Sequence, residues 1–190
     1  MKTRKKIIIA VIVLALVIAA SVGTTLAYFT AQDKAHNVIV SGSVKIEVRE
    51  WADEEKTVSF PEEGIDGAMP GDKITKIVEV TNTGSGDAWV RIRADKTIEL
   101  AEGIDGTPDT SLVKLDIDTE NWTEKDGWYY YNTALKAGET TAPLFTNVTL
   151  DAGMGNMYQN CTASVDIAAQ AVQTANNGST VLEAAGWPAE

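Results

Sequence analysis

The sequence predicts an all-β chain: a single antiparallel β-sandwich, jelly-roll-like, with only short helical turns. From Val38 onward apolar and polar residues alternate with period two, the repeat of a strand that buries one face. The alternating runs recur about every ten residues, separated by stretches rich in Asp, Asn and Gly, a spacing that favours a sandwich or jelly roll. Helical periodicity is scarce, confined to a turn near residues 109–113 and another near 180–185, where Gly186 and Pro188 stop it.

The chain opens differently. Lys2, Arg4, Lys5 and Lys6 precede fourteen apolar residues, 7–20, and a small-residue stretch ending Thr25-Leu26-Ala27. That is the three-part pattern of an export signal. Fourteen helical residues cover about 21 Å, short of the ~30 Å hydrocarbon core, so cleavage is expected rather than stable spanning. Thr25 and Ala27 supply the small side chains that a signal peptidase needs, which makes Tyr28 the new N-terminus. An uncleaved anchor carrying the same external domain is the alternative. The expected organisation is therefore a signal peptide at 1–27, a leader and candidate donor strand at 28–43, and a sandwich domain at 44–190.

Within that domain, Val44, Ile46 and Val48 alternate with Lys45, Glu47 and Arg49. Residues 52–72 are acidic and broken by Pro61, Gly64, Gly67, Pro70 and Gly71, a long loop with at most a short edge strand at 57–60. Runs 74–81 and 88–94 flank Asn82-Thr83-Gly84-Ser85-Gly86-Asp87, whose turn chemistry predicts a reversing loop and an antiparallel pair. In the second run Val90 and Ile92 face inward, and Arg91 and Arg93 face water. Further strands are expected in 112–117, 127–131 and 141–150. In the last run Cys161, Ala163, Val165, Ile167, Ala169 and Ala171 form one face. Its other face passes from polar to mixed, which predicts cover on both sides near its end. No second domain or internal repeat is visible.

The net charge is −11, and removal of residues 1–27 leaves 12 basic against 27 acidic side chains, net −15. Such a surface repels a phosphate backbone, which excludes nucleic acid as a partner. A chain of this length buries roughly 70% of its unfolded surface and needs no disulfide staples. Cys161 is the single cysteine and reads as a small core residue, the other reading being a free thiol or an intermolecular disulfide.

Several segments resemble the TasA-like family of secreted bacterial proteins, which includes camelysin and spore-coat relatives and carries a SipW-dependent type of signal peptide. Gly23-Thr24-Thr25-Leu26-Ala27-Tyr28-Phe29-Thr30 is similar to that family's cleavage region, followed by Asn37 and Ser41-Gly42-Ser43-Val44. Pro70-Gly71-Asp72 and Asn82-Thr83-Gly84-Ser85 resemble its next block. Asp126-Gly127-Trp128-Tyr129-Tyr130-Tyr131 and residues 169–177 resemble its last two. The resemblance implies a jelly-roll-like sandwich, release by a dedicated signal peptidase, and a place in the extracellular matrix or on the surface of a Gram-positive-type bacterium. For the best known member it implies biofilm fibres built by donor-strand exchange; other relatives lie on spores or stay at the cell surface.

A camelysin-like protease would need a zinc held by three protein ligands and a general base. The sequence has one histidine, His36, and no His-Glu-x-x-His segment. No serine sits in a nucleophile elbow, and Cys161 has only His36 as a conceivable base. The expectation is no enzyme, no catalytic or metal residue and no cofactor. Asp116, Asp118 and Glu120 recur like the first half of a calcium loop, but Asn121 and Gly127 stand where that loop needs Gly and Glu, so they read as a solvent face. Trp128, Tyr129, Tyr130 and Tyr131 are candidate exposed aromatic contacts for sugars or a neighbouring subunit, although a strand sends about half of such a run to the core.

The leader carries the favoured mechanism. A sandwich that lacks one strand exposes unpaired backbone and an apolar slot, which an extended peptide fills. Tyr28, Phe29, Val38, Ile39 and Val40 are the candidate donor residues, with self as partner in a head-to-tail homopolymer. Signal peptidase, matrix polysaccharide and other surface proteins are the further partners. The second reading is a monomeric surface binding domain whose leader folds back on its own sheet.

Overall fold

The computed structural model describes residues 38–39, 44–62, 64–65 and 67–189. Its strands are β1 (Val38–Ile39), β2 (Ile46–Trp51), β3 (Lys73–Asn82), β4 (Ala88–Glu99), β5 (Val113–Leu115), β6 (Trp122–Lys125), β7 (Trp128–Tyr131), β8 (Phe145–Leu150) and β9 (Thr162–Gln173). A first sheet has the order β1-β9-β4-β7-β6, and a second has β2-β3-β8-β5. The expected all-β sandwich is the observed fold. Every described pairing is antiparallel but one: β1 runs parallel to β9.

Alternation builds the interior. From the second sheet Ile46, Val78, Val80, Val113, Phe145, Val148 and Leu150 point inward. From the first, Val90, Ile92, Ile98, Trp122, Ile167, Ala169 and Ala171 meet them, with Leu135 and Leu144 added from connecting segments. Ala163 and Cys161 lie at the end of this face, and Cys161 is partly buried against the core.

The structure corrects the hairpin expected across residues 82–87. β3 and β4 lie in different sheets and face each other across the core, so the connection is an arch between sheets. Both strands bury alternate valines and isoleucines on one common interior, which a side-by-side pair within one sheet does not achieve. Asn82, 0% exposed, holds the corner. Its Nδ2 donates to the carbonyls of Gly86 (2.9 Å) and Leu135 (3.0 Å), and its Oδ1 accepts from the Gly84 amide at 3.0 Å.

One true hairpin escaped the sequence reading. β6 pairs with β7 through Asp126-Gly127, both at positive φ (53° and 77°), the geometry of a two-residue type I′ turn. Trp122 is the single buried residue of β6, so no alternation marks that strand. The edge piece expected at 57–60 is reduced to a bridge between Trp51 and Ser59, beside a loop in which the Asp53 carboxylate accepts from the Thr57 and Val58 amides. Helical turns at Thr110–Leu112 and Val181–Glu183 lie where they were expected; a third, Asn156–Tyr158, does not.

Replacing Asn82 by Ala leaves polar groups at the corner without partners and is expected to cost about 1–3 kcal/mol. Urea unfolding will show this as a lower midpoint at unchanged slope; a shift below about 0.5 kcal/mol would mean that the arch is held by other contacts.

Candidate functional site

The candidate donor residues fall partly outside the described residues: Tyr28, Phe29 and Val40 do, as do the cleavage-site residues Thr25 and Ala27. Val38 and Ile39 are described. They lie along β9, opposite Ala169 and Gln170. β4 pairs with β9 from Ala88↔Gln173 to Glu99↔Thr162, so one side of the long strand is fully used. Its other side takes β1 at Ala169 and Gln170, the kind of edge pairing by which an extended peptide adds to a sheet.

The outer face of the first sheet carries a second apolar cluster. β4 contributes Trp89, β7 contributes Trp128 and Tyr130, and β9 contributes Val172, all less than a tenth exposed. Residues 174–189 cover them. Val181, 3% exposed, seats this segment. Trp89 Nε1 donates to the Asn177 carbonyl at 2.9 Å, and Asn177 bonds both the amide (2.8 Å) and the carbonyl (3.0 Å) of Ala185. Trp187 closes the cover, its ring edge-on to Tyr130 with centroids 5.8 Å apart.

Arg91 sits at the centre. Its guanidinium lies over Trp128 at 4.1 Å and over Trp187 at 4.6 Å. Nε and Nη2 donate to Gln170 Oε1 at 3.0 and 2.6 Å, and Nη1 donates to the Tyr130 hydroxyl at 3.0 Å. A planar cation with a ring beneath it and bonds around its rim is a strongly fixed element. The expectation that Arg91 faces water is therefore corrected: it is half-buried beneath aromatic rings. Arg93, expected in water too, is also half-buried, 5.1 Å from the Trp128 ring.

The four aromatic candidates are likewise not an open platform. Alternation sends Trp128 and Tyr130 outward, where the C-terminal segment buries them. Tyr129 and Tyr131 point inward and are half-buried against the core. Tyr131 packs on Trp122 at 5.0 Å, and its hydroxyl accepts from the Ala142 amide at 3.3 Å. Burial, with Glu124 nearby, pushes the Tyr129 hydroxyl above its ordinary pKa. Gln170 and Trp187 were not singled out from sequence. The drift of the β9 outward face through Ala168, Gln170 and Val172 is the signal that a cover lies there.

The acids spaced like a calcium half-loop close local structure. Asp116 accepts from the Thr146 amide (2.8 Å) and hydroxyl (2.7 Å) and from the Asn147 amide (2.7 Å) and side chain (2.9 Å). Asp118 accepts from the amides of Glu120 (3.0 Å) and Asn121 (3.2 Å) and from the Asn121 side chain (2.8 Å). They lie between β5 and β6 rather than on a strand face. Beside Thr146 and Asn147 is a shallow cavity of ≈ 260 Å³ floored by Ile77 and Pro143. Lys56 at its rim pairs with the buried Glu79, which also accepts from Trp51 Nε1 at 2.9 Å.

Burial pushes the Asp116 carboxyl up, but the hydrogen bonds from Asn147 and Thr146 outweigh it and hold the group below its ordinary 3.8. A carboxyl depressed by folding stabilises above its unfolded pKa, and that stability is lost as pH falls through the folded value. Acidification below about pH 4 is thus expected to weaken the fold. Asp116→Asn is expected to lower stability at pH 7 and to flatten this acid limb. Urea midpoints at pH 7 and pH 3 test it, and identical pH dependence in both proteins would contradict it.

No curated protein and no solved structure gives a match to this chain. A family model described as camelysin metallo-endopeptidase matches residues 2–147. That description names a peptidase and bears against the expectation of no enzyme. A catalytic zinc takes three protein ligands, and among the described residues no group of three His, Cys, Asp or Glu stands close enough to hold a metal ion. His36 lies outside the described residues. The described donor set thus does not supply such a centre, while the match spans most of the sandwich through the start of β8. The chain belongs to the camelysin metallo-endopeptidase family.

Proposed function

We propose that this chain is an exported structural protein of the bacterial surface or matrix, which joins copies of itself through its leader. The observation that carries the reading is the seat of Val38–Ile39 on the outer edge of β9. Among the described residues, an extended segment of the leader pairs with that edge at Ala169 and Gln170. Such an edge accepts a strand equally from its own chain or from another, because backbone hydrogen bonds do not distinguish the source. Filling it with the next molecule's leader gives a head-to-tail contact that does not close, hence a fibre. The signal-like N-terminus and the resemblance to TasA-like proteins support export and release by a dedicated peptidase. A strongly acidic surface suits a protein that stays soluble until a specific contact forms.

The test compares residues 28–190 with a version starting at Ser43, imaged by electron microscopy at rising concentration. Fibres from the first and none from the second are expected. Single particles from both would leave the leader in its own fold and overturn assembly.

The family description favours a second reading, a metal-dependent peptidase. Casein digestion by the purified chain, with and without a chelator, decides it: chelator-sensitive cleavage supports the peptidase, and intact substrate removes it.

A further inference from the structure

We infer that the C-terminal segment, residues 174–189, locks the strand-accepting edge of the first sheet through a relay from Trp187 to Arg91 to Gln170. The inference rests on the proposed role of that edge as the place where a leader docks. β9 is paired along its length with β4 and, among the described residues, takes β1 on its other side at Ala169 and Gln170. The two-residue pairing with β1 supplies few backbone hydrogen bonds, so how firmly Ala169 and Gln170 are held depends on their side chains as well. Gln170 lies at the point that matters, its backbone opposite Ile39 in the parallel register.

The Gln170 side chain is 5% exposed and accepts two N–H groups from Arg91. Arg91 is itself fixed by two rings of different origin. Trp128 belongs to the sheet, whereas Trp187 arrives with the C-terminal segment. Taking Trp187 away opens one face of the guanidinium to water, which then competes for the bonds to Gln170 and Tyr130. The ring over Arg91 thereby controls how firmly Ala169 and Gln170 are presented to an incoming strand. The inference makes Trp187 and Arg91 positioning residues for docking, although neither lies on the edge itself.

Hydrogen exchange on the full chain, followed by mass spectrometry, tests the relay. In Trp187→Ala, exchange is expected to quicken about tenfold or more at 168–173 and at 38–39. Residues 74–80 and 145–150 of the second sheet are expected to stay protected, and Trp187→Phe to restore the original rates. Unchanged rates at 168–173 would overturn the relay. So would faster exchange there with 38–39 unaffected, or equal acceleration across both sheets, which would make the segment an undivided part of the core. Fibre growth is read separately: absence of fibres from the unaltered chain removes the assembly reading while the exchange result still decides the lock.

Discussion

The structure depends on the first half of β4, which packs side chains on both of its faces. Side chains of a strand alternate, so Val90, Ile92 and Ile98 enter the core between the sheets while Trp89 and Arg91 enter the cluster outside it. β9 bonds one edge of β4 along its length, and β7 bonds the other at Arg91 and Ile92. A strand enclosed in this way needs a cover on each side. The second sheet provides one, and the C-terminal segment, anchored by Asn177 and Val181, provides the other. Placing an arginine among tryptophans on the outer side is tolerable because Nε, Nη1 and Nη2 donate to Gln170 and Tyr130 while two indole rings lie against the guanidinium.

Much of this architecture is legible in the residues. Alternation marks β2, β3, β4 and β9 because each has one face turned to a single core. It fails for β6, where Trp122 alone is buried and the remaining side chains meet solvent. It misleads at residues 82–87, since turn-forming residues show that the chain reverses without showing whether it returns in the same sheet. That choice is made by Asn82, whose bonds reach Leu135, far along the sequence and invisible to a local pattern. The aromatic run shows the same limit. Period two says that Trp128 and Tyr130 share a face, but the segment that covers them begins more than forty residues later. Of the candidate donor residues only Val38 and Ile39 are described, and they lie beside β9.

The abundance of carboxylates has a structural use. Asp53, Asp109, Asp116, Asp118, Asp151 and Glu183 all accept hydrogen bonds from nearby backbone amides, and all are held below their ordinary pKa. They tie loops that have no regular hydrogen-bonding ladder of their own. A sandwich with long connections uses many such ties, and this explains why acid count alone gives so little guidance to chemistry. Lysines answer some of them, as Lys114 does for Asp151.

The region recognised by the family model stops at residue 147, before β8 ends and before β9 begins. A gene fragment trimmed to that boundary would encode β4 without its longest neighbour and without the lid over Trp89. Its naked ladder and uncovered rings would invite clumping, so expression designs for relatives gain from retaining downstream sequence that the recognised region omits.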